Sequence, residues 1–350
     1  MPEPARSAPC PPAGTEFRLV PDRGTCRICG AGDGQRTIGP ESYACSGQHL
    51  RRCGHCGAVY LAPDFEPAAL DAFYAEQYRK LFPSEAIWLN EERFFAWRGD
   101  RAVARLRLAR IAPFLTRDAR LFEVGSGFGA FLAAAAAAGL TGLQASEPDA
   151  ANRSRLLGNA GVTFQGGLSS VPSGSLDIVV AFHVLEHLPD PAMFMAELLA
   201  ALKPGGRAFI EVPDLMGGLH SADYVHPAHL SYFTQDMIAR LSRASGFHVR
   251  SCGPHPAGGP LLENIWLELQ RPDDPLPRQA IEAAPQAEIA ALDARLGRID
   301  WENGFRRNWR RRIKAHALRV FGAGAVGEWQ RWRQWRRLRQ AGWIGKHGIS

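Results

Sequence analysis

Short apolar runs and longer helix-period stretches alternate through the middle of the chain. Strands are predicted near 119–124, 142–146, 162–165, 176–181 and 207–212, with helices near 128–138, 150–158 and 191–202. That rhythm specifies an α/β fold, a doubly wound parallel sheet with helices on both faces. Thr234 to Ala244 reads as a further helix, and Phe247 to Cys252 and Ile265 to Gln270 read as two closing strands. Met1 to Arg23 is rich in Pro, Ala and Gly and lacks apolar periodicity, so it is expected to be a disordered tail. Pro67 to Pro113 is dense in aromatic residues (Phe73, Tyr74, Tyr78, Phe82, Trp88, Phe94, Phe95, Trp97) and then carries arginines at helical spacing, Arg101 and Arg105. Helices are expected there, either packing the N-terminal unit onto the core or forming a lid. Ile289, Leu292, Leu296 and Ile299 keep a 3-4-3 spacing, a helix with a narrow apolar seam, and Phe305, Trp309, Ile313, His316 and Val320 form a second stripe.

The 350 residues are 46% apolar and 22% charged, which is globular composition sufficient for two or three folding units. The net charge of +6 is unevenly spread. Trp301 to Ser350 holds thirteen Lys and Arg against two Glu, which leaves the rest of the chain net acidic. No stretch approaches the run of about 18 apolar residues that crosses a membrane, and no charged start followed by an apolar run marks a leader. The expected location is cytoplasmic.

Cys26-Arg-Ile-Cys29-Gly30 and Cys53-Gly-His-Cys56-Gly57 are two C-x-x-C-G knuckles separated by 23 residues. Four thiolates brought to one tetrahedral centre form a closed, structural zinc site, with the glycines letting each turn curl its N–H groups toward sulfur. Redox pairs or disulfides are the alternative reading of the same motifs. Cys45, His49 and His55 are spare donors, and Cys10 and Cys252 read as isolated thiols.

Ala119 to Leu140 joins an apolar run, a glycine-rich turn and an alanine-rich helix. Gly125, Gly127 and Gly129 permit positive φ and a close approach of ligand to backbone, at the end of a helix whose first N–H groups are unpaired. The spacing is G-x-G-x-G with Glu123 two residues ahead, not the dinucleotide G-x-G-x-x-G. An acid before the loop suits a ligand carrying positive charge, such as the amino group and sulfonium of S-adenosylmethionine. Glu147, after the next strand, is placed to accept from both ribose hydroxyls.

Leu121 to Gly129 resembles motif I of class I S-adenosylmethionine-dependent methyltransferases. Leu176 to Pro213, LDIVVAFHVLEHLPDPAMFMAELLAALKPGGRAFIEVP, resembles their fourth strand, following helix, Lys-Pro-Gly-Gly turn and fifth strand. The resemblance covers roughly 150 residues, a usual domain size, and implies a Rossmann-like sheet with an antiparallel final strand. It implies S-adenosylmethionine as cofactor at Glu123, Gly125, Gly127, Gly129, Glu147 and His183. The expected layout is a tail at 1–23, a zinc ribbon at 24–62, a helical linker or lid at 63–117, the methyltransferase domain at 118–272 and a basic helical extension at 273–350.

Tyr224 to Phe233, YVHPAHLSYF, resembles the corresponding segment of deoxysugar C-methyltransferases, which also carry an N-terminal zinc unit and read Tyr-His-Glu-His before Ser-Tyr-Phe. Here His226, Pro227 and Ala228 stand where Tyr, His and Glu are expected, while His229 and Ser231-Tyr232-Phe233 are kept. Without that Glu and Tyr, removal of a carbon-bound proton loses support and hydroxyl methylation gains it. His229 is the first candidate base and His183 the second, since both follow strands at the ligand end. His187 is read as capping or packing the next helix.

The expectation is therefore metal-independent transfer of a methyl group to a hydroxyl of a nucleotide-linked or lipid-linked sugar in glycan assembly. An rRNA or tRNA methyltransferase and a non-catalytic module with a cofactor-type fold are the alternatives. Leu318 to Gly327 contains a literal G-x-G-x-x-G, but the 23 residues after it leave no room for a βαβ unit. The Arg/Trp-rich end is read as a solvated basic helix, a peripheral membrane contact, a nucleic-acid contact or a truncated remnant. Oligomeric state is not legible.

Overall fold

The computed structural model describes residues 18–41, 47–72, 100–149, 152–153, 161–218, 225, 229–256, 261, 263–274 and 276–299. Most of the expected tail, Cys10, Cys45, the aromatic stretch over 73–99, most of the 150–158 helix, His226 to Ala228, and everything from Trp301 onward lie outside the described residues.

The strands run β1 (Arg36–Glu41), β2 (His49–Arg52), β3 (Val59–Ala62), β4 (Arg120–Val124), β5 (Gly142–Ser146), β6 (Thr163–Phe164), β7 (Leu176–Phe182), β8 (Leu202–Pro213), β9 (Ser231–Tyr232), β10 (His248–Pro254) and β11 (Asn264–Gln270). The helices used below are α1 (Pro67–Ala72), α2 (Asp100–Ile111), α3 (Ala130–Ala137), α4 (Pro191–Ala201), α5 (Leu215–Gly218), α6 (Gln235–Ala244) and α7 (Gln286–Leu296). The large sheet has the order β10-β11-β8-β7-β4-β5-β6. Its β6, β5, β4, β7 and β8 pair in parallel, β11 joins β8 antiparallel, and β10 joins β11 antiparallel. This is the expected open α/β sheet with its antiparallel closing strand.

Both faces are covered, so the central strands are apolar at nearly every position. Val179 and Ala181 of β7 pack toward α4 and α6 through Phe194, Met195, Leu198, Met237, Ile238 and Leu241. The alternate positions Ile178, Val180 and Phe182 pack toward α2 and α3 through Ala104, Ile111, Phe131, Leu132 and Ala135. Helix starts are set locally. Asp190 accepts from Met193 N–H at 2.8 Å ahead of Pro191, and Thr234 accepts from Met237 N–H at 3.2 Å.

The N-terminal unit is not a detached module. Its sheet has the order β1-β2-β3-β9, and β9 belongs to the segment after the fifth parallel strand. Val59 pairs with Tyr232 and Tyr60 with Ser231. The predicted seam of Ile289, Leu292, Leu296 and Ile299 is buried throughout, and its Leu292, Leu296 and Ile299 pack on this same sheet, against Ile38, Leu50, Val59, Leu61 and Tyr232. Arg52 grips Asp293 through two 3.0 Å bonds, and Arg240 grips Glu288 through two of 2.6 Å. Residues 286–299 thus clasp the ribbon to the α/β unit.

Candidate active site

The two cysteine knuckles are held open by glycine. Gly30 and Gly57 both lie at φ +75°, and their N–H groups bond to the carbonyls of Cys26 and Cys53 at 2.8 and 3.2 Å. Ile28 N–H points at Cys26 Sγ at 3.4 Å. The Sγ atoms of Cys26 and Cys56 lie 3.8 Å apart and those of Cys29 and Cys53 3.7 Å apart, unbonded, with all four inside 4.8 Å of one another. A tetrahedral zinc with bonds of about 2.3 Å needs sulfurs about 3.8 Å apart, so the donors fit that ion. His55 is turned away, its Nε2 lying 3.1 Å from the carbonyl of Ile281. His49 lies on β2, outside the four-sulfur cluster.

At the carboxyl end of β4 the chain turns through Gly125, Gly127 and Gly129 at φ +64°, +54° and +75°. A Cβ on Gly125 would strike Val184 Cγ2 at 2.8 Å, whereas one on Gly127 would meet nothing within 4 Å. The space over Gly127 is therefore open beside a backbone conformation that L side chains rarely adopt. Ser126 N–H ties the loop to the end of β5 through Ser146 O at 3.1 Å. Glu147, next in line, accepts Gly127 N–H at 2.7 Å and Asp149 N–H at 2.9 Å, one bond to each carboxylate oxygen. A second lone pair on each oxygen stays available. Glu123 is 5% exposed and its Oε2 has no hydrogen bond among the described residues. Burial pushes its pKa up to about 8, Arg107 working against that shift and Glu147 adding to it.

A second cluster lies across the loop, where β7 and β8 end. His183 has φ +57°, the left-handed region, strained for a residue with a side chain. Its Nδ1 lies 3.3 Å from Glu186 Oε1, its Nε2 3.4 Å from Glu211 Oε1, and its N–H donates to Glu211 O at 2.8 Å. Burial opposes the charged imidazole, but hydrogen bonds with Glu186 and Glu211 outweigh it and raise the pKa to about 9. Glu211 is fully buried and also accepts from Arg107 Nε at 2.7 Å and Asn264 Nδ2 at 2.6 Å. Burial opposes its ionisation, yet the hydrogen bonds and charges of His183 and Arg107 hold its carboxyl well below the usual carboxylate range. The Arg107 guanidinium lies 4.2 Å over the Phe182 ring. His255, buried against Trp266 with ring centroids 4.9 Å apart, has its pKa lowered by that burial.

His229 lies near Glu186, its ring 4.9 Å from that of His187 in an edge-to-face arrangement. Leu230 N–H bonds to Glu186 O at 2.7 Å, and Leu61 N–H of the ribbon bonds to Leu230 O at 3.0 Å. The ribbon, the His229 segment and the turn after β7 are thus joined by backbone bonds.

The structure gathers Glu123, Gly125, Gly127, Gly129 and Glu147 at the adjoining ends of β4 and β5, and brings both His183 and His229 near Glu186. The His183 segment meets the glycine loop through Val184, while its imidazole faces the carboxylates. Sequence reasoning passed over Arg107, Glu211, Asn264 and His255. A lone acid inside the apolar strand Phe209-Ile210-Glu211-Val212-Pro213 was the available signal for Glu211. The other three carry no local pattern.

Residues 95–251 match a family described as a methyltransferase domain. A probable S-adenosylmethionine-dependent methyltransferase of Mycolicibacterium smegmatis is 30% identical over 136 residues, 38% of this chain and 52% of that protein. One of Mycobacterium tuberculosis is 31% identical over 150 residues, 41% of this chain and 54% of that protein. The chain spans about half the length of the curated relatives it matches. Among solved structures, the magnesium protoporphyrin IX methyltransferase of Synechocystis overlaps at TM-score 0.44 and 15% identity, over 59% of this chain and all of that one. The open mixed sheet is that of Rossmann-like methyltransferases.

Proposed function

We propose that this chain is an S-adenosylmethionine-dependent methyltransferase that methylates a hydroxyl of a nucleotide-linked or glycan sugar. The observation that carries the cofactor assignment is the open space over Gly127, flanked by the carboxylates of Glu147 and Glu123 at the ends of β4 and β5. That is the place where open α/β sheets bind ligands. Glu147 would take the ribose hydroxyls. Glu123 would face the amino group, whose charge compensates a carboxylate that is otherwise costly to ionise. When bound, the cofactor supplies an electrophilic methyl group on a sulfonium.

The chain's own part is to fix the acceptor and hold its proton balance. Both ring nitrogens of His183 face carboxylates, so it is suited to stiffening the rim through Glu211 and Arg107. His229, partly exposed beside His187, is the better placed of the two to receive a proton. The sugar hydroxyl is supported by the sequence at 226–228, where the Tyr-His-Glu needed for keto-sugar C-methylation is replaced. Cys26, Cys29, Cys53 and Cys56 would hold zinc as a structural ion, fixing the ribbon that supports the His229 segment.

The test is incubation of the full-length protein and methyl-labelled S-adenosylmethionine with a panel of nucleotide sugars and, separately, with total RNA. Label in a nucleotide sugar is the expected result. Label in RNA alone overturns the acceptor class, and no transfer to any acceptor despite cofactor binding favours a non-catalytic module.

A further inference from the structure

We propose that Glu186, His187 and His229 form a second metal site, for a divalent first-row transition ion, on the acceptor side of the crevice. One donor atom from each lies within 4.8 Å of the others. The cluster is built around a buried acid. Glu186 is 1% exposed; among the described residues its Oε2 has no hydrogen-bond partner, and its Oε1 faces the imidazoles of His183 and His187 at 3.3 and 3.9 Å. A carboxylate kept from water with one oxygen unbonded is costly unless further positive charge compensates it. His183 is already shared with Glu211, so the side of Glu186 facing His187 and His229 is where a further cation fits.

The backbone holds the donors together. The Leu230 N–H to Glu186 O bond fixes His229 beside the turn that carries Glu186 and His187, and β3 braces Leu230 from behind. Two imidazole nitrogens and one carboxylate oxygen form a three-donor set that keeps coordination positions open, unlike the closed four-thiolate centre. Bonds of about 2.1 Å would bring the donors to about 3.4 Å apart, a contraction of at most about 1.4 Å from their present spacing. His183 then serves as the outer partner that orients the ligating carboxylate.

The catalytic use of this site rests on the methyltransferase reading; its existence does not. An ion here offers an open position to the acceptor oxygen and lowers the pKa of its O–H. The proton passes to solvent water. The new O–CH₃ bond forms as the S–CH₃ bond breaks, with its electron pair left on sulfur. This departs from the metal-independent chemistry expected from sequence, and it makes His229 a ligand rather than a free base.

The test titrates Co²⁺ into the full-length protein after its thiolate site has been filled with zinc, read by visible absorption and by metal analysis. The wild type is expected to take up one further equivalent, with weak d–d bands and no sulfur-to-cobalt charge-transfer band. Glu186→Gln and His187→Gln should each weaken that uptake at least about tenfold and keep the cysteine-held zinc. Uptake of no second ion, or equal uptake by wild type and a folded variant, overturns the site. Circular dichroism identifies a variant that has failed to fold; His187, on the half-buried turn, then decides the matter without Glu186. S-adenosylmethionine affinity is measured in parallel. Loss of the second ion with intact cofactor binding refutes this site alone, whereas two ions without cofactor binding refute the methyltransferase reading alone.

Discussion

Raising the pH from 6 to 7 is expected to tighten S-adenosylmethionine binding about ninefold, because the free protein keeps Glu123 largely protonated. With its pKa pushed up to about 8, about nine in ten Glu123 carboxyls carry a proton at pH 7. A cationic ligand needs the carboxylate, so binding must expel that proton. The penalty is about 1.4 kcal/mol at pH 7 and about 2.7 kcal/mol at pH 6. The sign is opposite for folding, which takes up the proton that binding expels. A carboxyl raised above its ordinary value contributes stability at low pH that is lost as pH rises through about 8. Calorimetry between pH 6 and 7, in two buffers of different ionisation enthalpy, should report release of about 0.9 proton per ligand at pH 7. Glu123→Gln keeps the shape, removes the titration and should flatten the slope. Wild-type affinity that is constant over this range, with no buffer-dependent heat, would refute the pairing of Glu123 with the ligand's cation.

Glu211→Ala should cost about 3–5 kcal/mol, since it strands Arg107 and Asn264 around a buried gap; an unchanged urea midpoint would contradict the network. Chelation of the cysteine-held metal should unfold the ribbon first and lower turnover while cofactor affinity holds, because β3 pairs with β9 beside His229. Equal loss of both, followed by calorimetry and assay in the same titration, would mean that the ribbon supports the whole fold. His229→Asn should keep cofactor affinity and lower kcat by about 10²–10⁴, with either a base or a metal ligand lost. Full turnover by that variant eliminates His229.

The parallel sheet was legible because β4, β7 and the second half of β8 carry buried apolar runs, and the β4–loop–α3 unit because its glycines sit where φ must be positive. Glu123 and Glu147 were legible for the same reason, being tied to that loop by sequence distance alone. The union of the ribbon with the core was not. It rests on a two-residue pairing at Ser231–Tyr232, too short to show a period, and on Leu230, which bonds both ways through its backbone. The seam of α7 was visible, but a stripe of Ile289, Leu292 and Leu296 names no partner, and its seat on β2 and β3 depends on contacts more than 200 residues distant. Arg107, Asn264 and His255 meet at Glu211 only because β8, β11 and α2 converge there.

Binding of S-adenosylmethionine by Gly127→Val bears on the cofactor site with the fewest intermediate steps. A Cβ at this position meets nothing within 4 Å among the described residues, so the variant meets no clash at Cβ and bears the strain of a β-branched residue at positive φ, about 2 kcal/mol or more. The added side chain fills the space assigned to the ligand. Calorimetric titration should find one site in the wild type and a loss of at least about 100-fold, or about 2.7 kcal/mol, in the variant. A folded Gly127→Val protein that binds S-adenosylmethionine as tightly as the wild type would place the cofactor elsewhere and contradict the assignment.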